Sequence, residues 1–168
     1  MTRKKRKTTA DLNAIGDHGE KIFAMRISQH HMFSVYFLGD KAPIVDFLLE
    51  INDSKTPFAF MVQVKSTEKA LGKSKTLGVK VSKEKYKGLL RRPLPTYIAG
   101  VDIPNETVYL CSAFKDKTHL PSMPTKYCLK FSRPKSTLNT LNLLKQDVIR
   151  YWKDARIANH KKKFVSSL

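Results

Sequence analysis

The spacing of apolar positions changes along the chain, and each change predicts an element. Between Asp11 and His30 the residues Leu12, Ile15, Ile22, Phe23 and Ile27 recur at helical intervals, predicting an amphipathic helix. Three runs of strand character follow: MFSVYFL at 32–38, IVDFLLEI at 44–51 and FAFMVQVKS at 58–66. The connections GDKAP and NDSKTP are short and carry turn residues, so an antiparallel meander is predicted. LGVKV offers a further short strand. Ser82 then stands where it would cap a helix, SKEKYKGLLRR, with Tyr86, Leu89 and Leu90 inward and Lys83, Lys87, Arg91 and Arg92 outward. TYIAGVDI (96–103) and TVYLCSA (107–113), joined by PNE, predict a hairpin, and Phe114 to Thr125 a loop. Beyond KYCLKF, the residues Leu138, Leu141, Leu144, Val148 and Trp152 fall at steps of three and four, predicting a long helix with a basic tail. The expected fold is α/β or α+β: a mixed central sheet flanked by helices. Its expected division is a basic arm over 1–10, a core over 11–135, and a C-terminal helix and tail over 136–168.

Charge adds a partner to this picture. Lys and Arg number 32 against 14 Asp and Glu, a formal charge of +18. Residues 1–10, 65–92 and 150–168 contribute +5, +8 and +5, so the rest of the chain is neutral. Cations concentrated in this way suit a polyanion, above all nucleic acid, whose counterions are released when lysines replace them. Lys69, Lys73, Lys75, Lys83, Lys87, Arg91 and Arg92 are the expected backbone-gripping residues. No apolar run approaches the ~20 residues of a membrane span, and the basic N-terminus leads into TTADLNAIGDHGE, not an apolar signal core. A cytoplasmic protein without a membrane partner is expected. Cys111 and Cys128 have neither metal-ligand spacing nor disulfide density, and are expected as small core residues.

The candidate chemistry lies where polar groups interrupt apolar runs. In the third strand Phe58, Phe60, Val62 and Val64 share one face and Ala59, Met61, Gln63 and Lys65 the other, so two polar groups emerge side by side. Either that strand end is simply exposed, or an anion, a metal-bound phosphate or a carboxylate meets the lysine. In the second strand Ile44, Asp46, Leu48 and Glu50 share a face, opposite Val45, Phe47, Leu49 and Ile51. Asp46 there requires a partner. On the first helix Glu20 borders the apolar stripe, near Gly16 and Gly19, whose loss of helix propensity suggests close approach by another element. Each residue also has an ordinary reading: Glu20 as a surface partner of Lys21 or Arg26, Asp46 as a strand-start residue, Lys65 as a snorkelling lysine. Ser66 and Thr67 could contact a phosphate or serve a turn, and His18, His30 and His31 read as surface residues. Taken jointly, Glu20, Asp46 and the Gln63 amide oxygen form a hard-oxygen ligand set for Mg²⁺ or Mn²⁺. A metal-bound water would attack a phosphodiester, with Lys65 offsetting charge on the phosphate oxygens.

Glu20 in GDHGEKIF, Asp46 in IVDFLLEI and QVKST together resemble the active-site pattern of the PD-(D/E)XK nuclease superfamily, in the variant where glutamine replaces the second acidic residue. KEKYKGLLRRPLPTYIAGVD is similar to the helix-then-strand passage that follows in the group containing restriction endonucleases acting on modified DNA. The resemblance covers roughly residues 12–113. It implies a restriction-endonuclease-like core, a metal-dependent endonuclease acting on double-stranded DNA, catalytic Glu20, Asp46, Gln63 and Lys65, and metal ligands Glu20, Asp46 and Gln63. Many such enzymes are twofold dimers that cut both strands, so a homodimer is a further expectation. The sequence departs from the pattern in having no proline directly before Asp46 and a neutral Gln63. The alternative is a non-catalytic nucleic-acid-binding module on the same fold, with RNA as a candidate partner.

Overall fold

Alternation along nine residues, Ala59–Thr67, makes β3 the pivot of the molecule, because its two faces belong to two different cores. The computed structural model describes residues 8–39, 42, 44–52, 55, 58–69, 71, 75–113, 123–132 and 134–165. Within these, three helices, α1 (Thr9–Ile27), α2 (Lys83–Leu90) and α3 (Pro134–Val165), flank a six-stranded mixed sheet. The remaining strands are β1 (Phe33–Phe37), β2 (Phe47–Ile51), β4 (Thr76–Leu77), β5 (Thr96–Asp102), β6 (Thr107–Ser112), β7 (Met123–Pro124) and β8 (Leu129–Phe131). The fold class is α+β.

The sheet order is β1-β2-β3-β5-β6-β8, and β4 pairs separately with β7. β1, β2 and β3 form the expected antiparallel meander, with Phe37 opposite Phe47 and Phe47 opposite Val62. β5 runs parallel to β3, Lys65 beside Gly100, so the chain must cross the sheet between them. That crossover carries α2. All seven residues of β5 are buried, as expected of a central strand covered on both faces. β6 and β8 complete the sheet in antiparallel fashion.

Phe60, Val62 and Val64 pack with Ile22, Phe23 and Ile27 of α1 and Leu141, Leu144 and Val148 of α3. Here Phe23 meets Phe47 at 5.0 Å between ring centroids and Phe60 meets Tyr97 at 5.5 Å. Tyr97, kept protonated by burial, donates to Asp147 at 2.8 Å, and Trp152 donates its indole N–H to the Ala59 carbonyl at 3.0 Å. The opposite face holds a smaller core of Val45, Leu77, Val79, Tyr86, Leu89, Ile98 and Tyr109.

Several expectations shift. Of the arm over 1–10, residues 1–7 lie outside the described set, while Thr8 caps α1 through a reciprocal box with Asp11 and Thr9 and Ala10 are already helical. The second strand begins at Phe47, not Ile44. Val45 turns toward the α2 side while Phe47 stays on the α1 side, which breaks the alternation predicted across 45–51. LGVKV contributes only the end of a two-residue strand. Leu90, expected inward, is 44% exposed, because α2 is short and only Tyr86 and Leu89 reach the core. The expected loop over 114–125 lies outside the described residues up to 122, then gives β7 and a 3-10 turn.

Cys111 and Cys128 are bonded to each other, which neither spacing nor number suggested. The cause is register. β6 and β8 pair Val108 with Phe131 and Leu110 with Leu129, so the next facing pair along the same ladder is Cys111 and Cys128. Cys111 remains a buried core residue, as expected.

Candidate functional site

The site forms where β2 and β3 separate. Their ladder ends at Phe47–Val62; one more main-chain bond follows, from the Asp46 N–H to the Val62 carbonyl at 2.9 Å. The next donor on β3, the Val64 N–H, would then lack a strand partner. The Asp46 carboxylate takes that place, accepting from it at 2.6 Å through Oδ2. A side chain thus continues the ladder one step past the end of the strand. Asp46 therefore stands in the fork just before β2, and not within the strand as its sequence pattern predicted. Val64 is the residue between Gln63 and Lys65, so the carboxylate lies against the QVK segment. Among the described residues its other oxygen has no hydrogen-bond donor.

Gln63 and Lys65 share the α2-facing side of β3, as alternation predicts, in line with Met61. Gln63 is only 2% exposed, and among the described residues its buried side-chain oxygen Oε1 has no hydrogen-bond partner. Leaving such an acceptor unsatisfied costs about 1–3 kcal/mol. Lys65 is half-buried. Desolvation holds its ammonium below the ordinary lysine range, against the opposing pull of Asp46 and Glu20. Desolvation likewise pushes the Asp46 carboxyl up, against the Val64 N–H and the ammoniums of Lys65 and Lys85. In both groups the loss of water outweighs the mutual attraction.

Glu20 arrives from the other layer. Gly19 lets α1 sit directly on β3: a Cβ there would collide with Ser66 Oγ. This is the close approach expected of the helix glycines, but only at Gly19; Gly16 has open space around it. The contact seats Glu20 within electrostatic reach of Lys65. Glu20 also lines a mostly apolar cavity of about 350 Å³ with Asp17, Lys21, Ala24, Phe37 and Phe47. The ordinary pairing of Arg26 with Glu20 is not formed, since Arg26 bonds Glu106 of the β5–β6 turn at 3.0 Å. Ser66 faces α1, and the Thr67 hydroxyl accepts from the Lys69 N–H at 3.1 Å, the turn duty of its ordinary reading. His18, His30 and His31 are exposed, as expected.

Among the described residues no three His, Cys, Asp or Glu side chains gather where they could hold a metal ion. A cation in the fork would rest on fewer carboxylates, the Gln63 amide oxygen and water. The orphaned Oε1 fits that role, because an amide oxygen is a hard donor of the kind Mg²⁺ and Mn²⁺ take.

Of the expected nucleic-acid contacts, Lys69, Lys75, Lys83, Lys87 and Arg91 are exposed and Arg92 is half-buried; Lys73 lies outside the described residues. All belong to the crossover between β3 and β5. The sequence reading missed Lys85, which acts electrostatically on both Asp46 and Lys65. A signal for it exists: four residues before the buried Leu89, it borders the apolar stripe of α2 instead of opposing it.

No family model, no curated protein and no solved structure matches this chain.

Proposed function

We propose that this protein is a metal-dependent endonuclease that hydrolyses phosphodiester bonds in double-stranded DNA. One observation carries the reading: Asp46 accepts from the Val64 N–H, between Gln63 and Lys65, and the buried Gln63 amide oxygen has no hydrogen-bond partner among the described residues. The element order supports it. A helix, an antiparallel three-stranded meander, a crossover helix and a parallel strand are what a restriction-endonuclease-like core of the PD-(D/E)XK superfamily would require. The charge of +18 supports a polyanionic substrate, and a twofold dimer acting in the cytoplasm fits cleavage of both strands. Among the described residues no helix is long and apolar enough to cross a membrane.

Glu20, Asp46 and Gln63 would hold Mg²⁺ or Mn²⁺, which when bound supplies an acidified water and positive charge at the phosphate. The chain's own residues do the rest. The Val64 N–H fixes one Asp46 oxygen and so orients the carboxylate. Lys65, kept in place by its strand, donates to an oxygen of the attacked phosphate, where negative charge grows. The exposed lysines and arginines of the crossover grip flanking phosphates without reading sequence.

The test is incubation of purified protein with supercoiled and linear DNA in Mg²⁺, Mn²⁺ or EDTA. The expected result is nicking that requires the metal and falls about 100-fold or more in Lys65→Ala and Asp46→Ala proteins, as expected for loss of charge stabilisation. Identical digestion by the Lys65→Ala protein would overturn the assignment. The neutral Gln63 and the absence of a three-carboxylate cluster favour one second reading, a nucleic-acid-binding module without catalysis. It predicts steeply salt-dependent DNA or RNA binding and no cleavage in any metal.

A further inference from the structure

Helix α2 brings one more cation to the fork. Ser82 caps it through the Lys85 N–H at 3.3 Å, the Tyr86 hydroxyl donates to the Ala113 carbonyl at 3.1 Å, and Leu89 is 1% exposed. Three anchors within eight residues leave the helix little freedom to rotate. Gly88 lets it press against the segment leading to Asp46: a Cβ there would stand 2.6 Å from Ile44 Cδ1. Lys85 lies three residues before Gly88 and so on the same flank of the helix. The flexible stem therefore rises from the side of α2 that faces the fork. Its ammonium is within electrostatic reach of both Asp46 and Lys65.

Two ammoniums beside one carboxylate are an unfavourable arrangement for the protein alone. Among the described residues neither lysine is closed off in an ion pair. Simple neutralisation of Asp46 does not require the second cation, because the carboxylate already has the Val64 N–H and Lys65. An anion seated between the two ammoniums would turn their repulsion into a shared attraction.

We infer that Lys85 is a second phosphate-binding residue of this site: its ammonium and that of Lys65 hold the same phosphodiester from the α2 and β3 sides. The inference rests on the nuclease reading for the identity of the anion, but not for its test. Lys85 differs in this from Lys83 and Lys87, which grip phosphates elsewhere on the same helix.

A double-mutant cycle on DNA binding decides it. Fluorescence anisotropy with a short labelled duplex, in EDTA so that nothing is cut, gives binding constants for Lys65→Ala, Lys85→Ala and the double variant, beside a Lys65→Ala/Lys87→Ala cycle. Two lysines on one phosphate should be non-additive by at least threefold, whereas the Lys87 cycle should be additive. Lys85→Arg should bind as the wild type does, and thermal melts should show all variants folded, since residue 85 is exposed. Additive losses at Lys65 and Lys85 would overturn the inference. Cleavage judges the parent reading separately: a wild type that binds with coupled lysines yet never cuts keeps Lys85 and discards the nuclease. A wild type that cuts with additive lysines does the reverse.

Discussion

The two faces of β3 are built to opposite ends. On the α1 and α3 side Phe60, Val62 and Val64 join the larger apolar core, Phe60 and Val62 at 0% exposure. On the α2 side the same strand buries Gln63, whose amide oxygen has no partner among the described residues, and half-buries Lys65 with its charge disfavoured. The first face supplies stability and the second spends some of it. Strain of this kind concentrates where a ligand is to be met, since the unpaired groups are held ready at a cost the rest of the fold bears. The difference teaches that the site is a property of one strand in two environments.

The sharpest break of that contrast is Phe23→Ala. Phe23 is 1% exposed and packs on Phe47, so its truncation should cost about 3–5 kcal/mol in denaturant unfolding. A loss under about 1 kcal/mol would mean that the α1 side is not the stabilising face.

Gly19→Ala probes the seam between the two faces. The new methyl would collide with Ser66 Oγ and Cβ, lifting α1 from β3, with an expected loss of about 1–3 kcal/mol. Ser66→Gly in the same protein removes both colliding atoms and should recover most of it. Because Glu20 rides on α1, DNA nicking should fall and recover in parallel with the melting temperature. No rescue would show that Gly19 acts through backbone flexibility alone.

The smallest effect has the opposite sign. Burial raises the Asp46 pKa from its ordinary 3.8, so the folded state binds more protons than the unfolded one just above that value, and stability falls as pH rises through the window. Burial lowers the Lys65 pKa from 10.5, so there the unfolded state binds more protons and stability climbs with pH just below 10.5. At neutral pH both ionised groups weigh against folding. The double variant Asp46→Asn/Lys65→Met should therefore melt about 2–4 °C higher at pH 7 in EDTA, a gain of about 1 kcal/mol, while losing nicking. The Asp46 part of that gain should fade as pH falls through the raised native pKa and be lost well below 3.8, where the carboxyl is protonated in both states. A lower melting temperature for the double variant would mean that the pair stabilises the fold and is not a functional strain.

How much of this was legible varies by residue. Gln63 and Lys65 were placed on one face correctly, because side-chain alternation within a strand is a local rule that no other segment can alter. Asp46 was assigned to the right neighbourhood and the wrong setting. Its pattern read as strand, yet the strand starts one residue later and the side chain replaces a ladder bond. The outward lysines of α2 were read from its helical period, and Lys85 was lost because a residue beside an apolar stripe is ambiguous until the neighbour across it is known.

Short-range periodicity and composition were enough to read the three helices, the antiparallel meander, the capped crossover helix and the concentration of positive charge, though not every strand boundary. Which distant groups meet came from the assembled fold: Asp46 with the Val64 N–H, Gly19 with Ser66, Cys111 with Cys128, and Lys85 with the fork. Those meetings are set by strand register and helix docking, which sum many weak contacts across the whole chain and leave no mark in any one stretch of it.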